Sequence, residues 1–191
     1  MPKKFLITLS IFATILFIPP AVFAQESIKS YDAKIVAHQN GSMTITETIQ
    51  YDFGSDSRHG IFRFIPTYTQ VANLYRISDI KFTDIKRDGK KEPFDTSYNA
   101  DQVEVKIGDP DRTIKFEHQY EITYEVKNGI ASNYDDHDEI FWDITGDQWE
   151  IPIESAVATI TTDFNAVPNK NNLFYRSSWF KRTKLPIRSY G

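Results

Sequence analysis

One run of thirteen residues, Ile114–Val126, alternates strictly along the chain, and it constrains the fold more than any other feature. Every second residue is Ile, Phe, His, Tyr, Ile, Tyr and Val, whereas the residues between them are Lys, Glu, Gln, Glu, Thr and Glu. A period of two places alternate side chains on opposite faces of a β-strand, and an α-helix would mix them. The run therefore predicts a long strand with one buried face and one solvated face.

The same period recurs earlier and predicts a hairpin. Ser30–His38 and Ser42–Phe53 flank Asn40-Gly41, a dipeptide that suits a tight turn because both residues tolerate positive φ. In the second strand one face carries Met43, Ile45, Glu47, Ile49, Tyr51 and Phe53. Further strand patterns occur at Ile61–Ile65, Tyr75–Lys86, Asp101–Ile107, Ile140–Thr145 and Glu150–Thr162.

These patterns predict an all-β domain of about eight strands, joined by short turns and paired as antiparallel neighbours. The chain is rich in aromatic residues, with 14 Phe, 10 Tyr and 3 Trp, which suit a pleated, half-buried surface. An antiparallel β-sandwich satisfies the pattern best, since two sheets bury their apolar faces against each other. A closed barrel is the alternative.

The first twenty-four residues have the layout of a secretory signal peptide. Lys3 and Lys4 precede an apolar run, Pro19-Pro20 would break a helix, and Ala24 ends a small-residue motif. We predict cleavage after Ala24, with an uncleaved membrane anchor as the alternative. The predicted organisation is a signal peptide (1–24), an exported, extracytoplasmic domain (25–163) and a basic C-terminal tail (164–191).

Charge and cysteine content narrow the function classes. Residues 25–163 carry 26 acidic and 14 basic side chains, whereas 164–191 carry six basic and no acidic ones. An acidic body disfavours nucleic acid as a partner. The chain has no cysteine, so an exported domain of this sequence folds without disulfides and has no thiolate site.

Three patches together resemble a known family. They are Ile45-Thr46-Glu47-Thr48-Ile49-Gln50-Tyr51 within Ile28–Phe53, then Arg58-His59-Gly60-Ile61-Phe62-Arg63-Phe64-Ile65-Pro66, and then Asp138–Trp149 followed by Ile151-Pro152-Ile153. In this order they resemble the N-terminal extracytoplasmic domain of the predicted prokaryotic membrane proteins of domain of unknown function 2207, often called YciQ-like. The resemblance covers about Ser27–Asp163.

The resemblance implies a signal peptide, an exported β-rich domain and then transmembrane helices, and it implies no known activity. This chain departs from the pattern at two places. Phe64 stands where an acidic residue is expected before Ile-Pro, and no transmembrane segment follows Asp163. We therefore interpret the C-terminal tail as a truncated or frame-shifted continuation.

An acidic segment, Tyr134–Glu139, contains the candidate metal ligands. Asp135, Asp136, Asp138 and Glu139 supply the oxygen ligands that calcium prefers, although their spacing is not that of a helix-flanked calcium loop. A solvated acidic turn between strands is the alternative. The four histidines have no metal-ligand spacing, so calcium is the only cofactor that we predict as a candidate.

Two groups of residues are candidates for ligand binding. Trp142 and Trp149 can stack on a sugar, with Glu139, Asp143, Asp147 and Glu150 nearby as the carboxylates that a glycoside hydrolase needs. The alternative is that the tryptophans fill the core and shape the edge of the last strand.

The second group consists of Arg58, Gly60, Phe62 and Arg63, which can grip an anionic or sugar ligand. The alternative is that Ile61, Phe62 and Ile65 cap the sandwich while Arg63 pairs with an acid at the edge of the core.

We conclude that the sequence favours a non-catalytic binding or assembly module of a membrane-associated envelope protein, with envelope proteins as candidate partners. A carbohydrate-directed binder or glycoside hydrolase that uses Trp142 and Trp149 is the alternative.

Overall fold

The computed structural model describes residues 25–71, 74–131, 138–164 and 188–189. Within these residues the protein has fourteen β-strands and no helix. The strands are β1 (Ser27–Ala37), β2 (Met43–Asp52), β3 (Gly60–Pro66), β4 (Tyr68–Val71), β5 (Leu74–Ile77), β6 (Asp79–Arg87), β7 (Lys90–Lys91), β8 (Phe94–Tyr98), β9 (Gln102–Gly108), β10 (Glu117–Lys127), β11 (Ile130–Ala131), β12 (Glu139–Ile140), β13 (Ala156–Thr162) and β14 (Arg188–Ser189). The predicted signal peptide and most of the predicted tail lie outside the described residues.

Two sheets pack face to face, which confirms the predicted all-β sandwich. The larger sheet has the order β14-β13-β1-β2-β10-β6-β7, and the smaller one has the order β3-β9-β8. Their inner faces share one core of mainly Ile, Val and Tyr side chains. Two further pairs, β4–β5 and β11–β12, stand apart as two-stranded sheets.

The predicted hairpin is confirmed as β1 and β2. The strands pair antiparallel, from Ala37 opposite Met43 to Ser27 opposite Asp52. Gly41 in the connecting turn has a φ of 82°, a conformation that glycine adopts without steric cost. The inward set of β2, which includes Glu47, is fully buried or nearly so.

The strand predicted from strict alternation is β10, and it lies between β2 and β6. Tyr120, Ile122, Tyr124 and Val126 are fully buried. The strand starts at Glu117, three residues later than predicted, because Phe116 adopts a φ of 67° and turns the chain.

The prediction of antiparallel neighbours is wrong for β13, which pairs parallel with β1. The crossing segment, residues 141–155, first runs back to the N-terminal end of β1, where Ile153 forms a parallel bridge with Ile28, so the chain enters β13 in the direction of β1. Its backbone already bonds to β1, since the Ile28 N–H donates to the Pro152 carbonyl at 2.9 Å. The predicted strands Ile140–Thr145 and Glu150–Thr162 are correspondingly shorter, and Tyr75–Lys86 is broken at Ser78.

Candidate functional site

A buried ion pair between the two sheets fixes the position of the candidate residues. Arg63 points inward from β3, and Glu47 points inward from β2 towards it. The Arg63 Nε donates to Glu47 Oε2 at 2.9 Å and the Arg63 Nη2 donates to Oε1 at 2.8 Å. The Tyr124 hydroxyl donates to the same Oε1 at 2.6 Å. This bidentate geometry is the strongest that a guanidinium and a carboxylate can form.

Arg63 also holds the segment that leads to β13. Its Nη1 donates to the carbonyls of Phe64 and Thr145, and its Nη2 donates to the carbonyl of Ile144 at 3.1 Å. With the two bonds to Glu47, all five guanidinium N–H groups have an acceptor. Gly146 follows with a φ of 71°, and a Cβ at this position would lie 2.9 Å from the Arg63 Nη1.

The electrostatics keep the Arg63 guanidinium charged. Burial lowers the pKa of Arg63, but the Glu47 carboxylate and the neighbouring Tyr31 outweigh it and raise the pKa well above its usual value. The guanidinium also lies 5.8 Å from the centroid of the Tyr31 ring, within the range of a cation–π contact. Burial, followed by the charge of Glu47, raises the pKa of Tyr124, so this hydroxyl stays a hydrogen-bond donor.

The three patches that carry the family resemblance meet at this ion pair. Glu47 belongs to the first patch, Arg63 to the second, and Ile144 and Thr145 to the third. A pattern spread over a hundred residues of sequence is therefore one contact in space. The ion pair and its hydrogen bonds hold the two sheets and the crossing segment together, and they serve this structural role and not ligand binding.

The two tryptophans flank this network and pack against the core. Trp149 lies edge-on to Tyr31, with ring centroids 6.4 Å apart, and its indole N–H donates to the Thr145 carbonyl at 2.8 Å. Trp142 is half-buried and lies 6.3 Å from Tyr124. Asp143, one of the candidate carboxylates, accepts the backbone N–H of Gly146 at 2.9 Å and shapes the turn.

The group Arg58, Gly60, Phe62 and Arg63 does not converge on one site. Arg63 is 1% exposed and lies in the core, so the acid that it pairs with is a core residue and not one at the edge as we expected. Gly60 adopts a φ of 148° against β9, where a Cβ would overlap the Ile107 carbonyl. Strand pairing therefore accounts for this glycine.

Arg58 and Phe62 remain at the surface and have different neighbours. Arg58 is exposed and pairs with Glu26 at 3.0 Å and with Asp56 at 3.2 Å. Phe62 points away from the core and is 48% exposed, so the prediction that it caps the sandwich with Ile61 and Ile65 is wrong. It stacks beside Phe64 on the outer face of the smaller sheet, with ring centroids 6.4 Å apart.

The structure describes only part of the candidate calcium loop. Asp138 is exposed and Glu139 is half-buried in β12, while Asp135 and Asp136 lie outside the described residues. Within the described part of the chain no cluster of three or more metal-ligating side chains occurs. Calcium binding by this loop therefore stays a prediction.

A polar cavity of about 430 Å³ opens at the end of the larger sheet, where β1 and β13 end and β2 begins. His38 links its walls, with Nδ1 2.7 Å from Asp163 Oδ2 and Nε2 2.8 Å from Thr44 Oγ1. A hydroxyl, an imidazole and a carboxylate in this order can activate a nucleophile. Glu125 lies opposite Thr44 and lines the same cavity. A carboxylate at this position would destabilise the oxyanion that forms during acyl transfer. The hydrogen bonds of His38 therefore connect the strand ends and have a structural role.

The outer edge of β8 is an open strand edge that the sequence analysis missed. All five residues, Phe94–Tyr98, are exposed, and within the described chain β8 pairs with β9 alone. Phe94 and Tyr98 lean towards the larger sheet, where the Tyr98 hydroxyl donates to the Ile80 carbonyl at 2.9 Å. The only signal in the sequence was a five-residue stretch after Pro93 with an aromatic residue at each end and three polar residues between them, too brief to predict a strand.

Fold and site together define a two-sheet β domain. Its buried polar network stabilises the fold, and its open strand edge, β8, lies at the margin of the smaller sheet. The chain belongs to the family described as the N-terminal domain of a predicted membrane protein, DUF2207, whose family model matches residues 27–183. The match extends beyond Asp163 into the predicted tail. Among the described residues no helix is long and apolar enough to cross a membrane.

Solved structures add a likeness of fold alone. Native yeast LTA4 hydrolase is 9% identical with a TM-score of 0.50, over 75% of this chain and 23% of that protein. An M1 zinc metallopeptidase from Deinococcus radiodurans is 11% identical with a TM-score of 0.36, over 53% of this chain and 20% of that protein. This chain thus spans less than a quarter of either protein. The search of curated proteins found no match.

Proposed function

We propose that this chain is a non-catalytic, extracytoplasmic module of a membrane-associated envelope protein and that it binds a protein partner by adding one of the partner's strands to β8. The open edge of β8 carries this proposal. Its exposed residues surround backbone groups that have no partner strand on that side within the described chain. Unpaired N–H and C=O groups in a row are a template for a further strand.

The composition of β8 supports a binding role. Edge strands that must stay unpaired usually carry lysine, proline or a bulge. Phe94–Tyr98 contains no lysine and no proline, its single charge is Asp95, and its pairing with β9 is regular. Phe94 and Tyr98 are 40% and 57% exposed, so they offer aromatic contact area to an incoming strand.

A carbohydrate-directed function has less support in the described residues. The faces of Trp142 and Trp149 that contact Tyr124, Tyr31 and Tyr51 are occupied by packing. Sugar stacking needs an open aromatic face, and neither tryptophan is among the exposed aromatic residues of the described chain. Protein binding at a strand edge therefore has the stronger support.

The test is site-specific photo-crosslinking in the cell envelope of the native host. A photoreactive phenylalanine at position 97, in β8, is expected to capture a discrete envelope protein. Thr96→Lys adds a charge to the edge and should reduce capture about tenfold, because lysine protects edges from pairing. Thr113→Lys places the same charge in an exposed loop and should leave capture unchanged. Equal capture by the two variants, or no discrete product from position 97, would contradict the proposal.

A further inference from the structure

The hairpin of β4 and β5 presents an aromatic face that no described part of the protein covers. Tyr68 pairs with Ile77 across the hairpin, and Tyr75 lies two residues from Ile77 on the same face. These three side chains are 42%, 70% and 62% exposed, respectively. The rings of Tyr68 and Tyr75 stack, with centroids 5.1 Å apart and planes 19° apart.

Hydrogen bonds fix the base of the hairpin to the rest of the domain, although its aromatic face is exposed. The Thr67 N–H donates to the Asp101 carbonyl at 2.8 Å, and the Ser78 N–H donates to the Thr67 carbonyl at 2.8 Å. Arg76 donates to the Gly129 carbonyl at 3.2 Å. Because an isolated two-stranded hairpin is only marginally stable in water, an exposed apolar face on one indicates a partner surface.

The location of the hairpin indicates what that surface is. β6 begins at Asp79, directly after the hairpin, and Asp79 pairs with Lys127 at the end of β10. Val126 pairs with Met43, and Met43 pairs with Ala37, which accepts the backbone N–H of Asp163 at 3.2 Å. The hairpin therefore projects from the same end of the larger sheet at which the chain leaves β13 for its C-terminal segment.

The charge of the hairpin favours a lipid surface as its partner. Thr67–Ile77 contains no acidic residue and one arginine, within a body where acidic side chains outnumber basic ones by 26 to 14. An anionic lipid surface repels an acidic protein except where the acids are missing. Tyrosine, with an apolar ring and a polar tip, is enriched at the interface between membrane and water.

We propose that the Tyr68, Tyr75 and Ile77 face of this hairpin inserts into the interfacial layer of the lipid bilayer. The inference rests on the proposed membrane-associated function and adds to it the segment of the domain that contacts the lipid. β8 then stays free along the side of the sandwich for a protein partner.

The test uses environment-sensitive labels on single cysteines, which is direct because the chain has no native cysteine. The full chain carries the label at Tyr75→Cys or Ile77→Cys and is reconstituted with vesicles of phosphatidylcholine and phosphatidylglycerol. Phe116→Cys is the matched control, since Phe116 is an equally exposed aromatic residue (66%) outside the hairpin. Nitroxide lipids should quench the labels at positions 75 and 77 about threefold more than the label at position 116, because interfacial residues lie at the lipid boundary.

The outcomes separate the two proposals. Local quenching is informative whichever segment attaches the chain to the vesicle, including the basic tail and the apolar N-terminal run. A vesicle-bound chain with equal quenching at all three positions would overturn the hairpin proposal alone. Labels at positions 75 and 77 that are shielded from water but not quenched by lipid would overturn it in favour of contact with a second copy of this chain. A chain that fails to bind vesicles would overturn both the hairpin proposal and the proposed membrane association.

Discussion

At the scale of single residues, the Arg63–Glu47 pair decides how the two sheets are held together. A buried charge is costly unless a partner and hydrogen bonds compensate it, and here both conditions are met. The sequence placed Glu47 among the buried residues of β2 and offered an acid as the partner of Arg63. It did not identify Glu47 as that acid, because alternation reports which face a side chain occupies and not which residue of another sheet lies opposite.

We predict that Arg63→Met lowers the free energy of unfolding by about 3–5 kcal/mol, since it leaves Glu47 as an unpaired buried carboxylate. Urea unfolding followed by circular dichroism measures this change. Arg58→Met is the matched control and should cost less than about 1 kcal/mol, because Arg58 is exposed and its ion pairs are solvated. Losses of similar size in the two variants would mean that the buried pair has no special role.

At the scale of elements, the sequence pattern predicted the long regular strands and did not predict the short or irregular ones. The β1–β2 hairpin and β10 were predicted because their alternation is long enough to define a face. β8 was missed because it has five residues, and the parallel pairing of β13 was missed because local patterns carry no information on strand direction. The crossing segment 141–155 is held by contacts with Arg63 and the tyrosines, and contacts between distant residues leave no local period.

Gly146 tests whether this crossing segment is fixed by the Arg63 guanidinium. Gly146→Ala imposes a left-handed conformation on alanine and brings its Cβ within 2.9 Å of the Arg63 Nη1. Gly89→Ala imposes nearly the same φ, 74° against 71°, with no heavy atom within 4 Å of the new Cβ. Both variants lose about 1–2 kcal/mol from backbone strain, and we expect Gly146→Ala to lose at least about 1 kcal/mol more. Chemical denaturation compares them, and equal losses would show that the segment can yield without disturbing Arg63.

At the scale of the whole molecule, burial, charge and edges divide the protein into regions with different tasks. The core holds the buried Arg63–Glu47 pair and four buried tyrosines, whereas the surfaces proposed for binding lie at β8 and at the β4–β5 hairpin. Composition predicted the all-β class and the acidic body. It did not predict where the bare surfaces lie, since these depend on which strand ends a sheet and on which end of the sheet the chain leaves.

The four buried tyrosines give the whole molecule a predictable loss of stability in alkali. Burial raises the pKa of Tyr31, Tyr51, Tyr120 and Tyr124 above the value of an exposed phenol. The unfolded chain ionises these groups at about pH 10, whereas the folded protein keeps their protons to higher pH. The free energy of unfolding is therefore unaffected by them below about pH 10 and falls as the pH rises further, by about 1.4 kcal/mol per pH unit for each tyrosine.

Tyr120→Phe isolates one of these contributions. The Tyr120 hydroxyl is buried and makes no hydrogen bond with any described residue, so its removal should leave stability near pH 7 unchanged or slightly raised. Above about pH 10 the variant should lose about 1.4 kcal/mol less per pH unit than the original protein, because one fewer buried phenol has to ionise on unfolding. Urea unfolding at about pH 8 and about pH 11 measures the difference. Two parallel pH profiles would mean that Tyr120 ionises as readily in the folded protein as in water, and the two sheets would then not exclude solvent from their shared core.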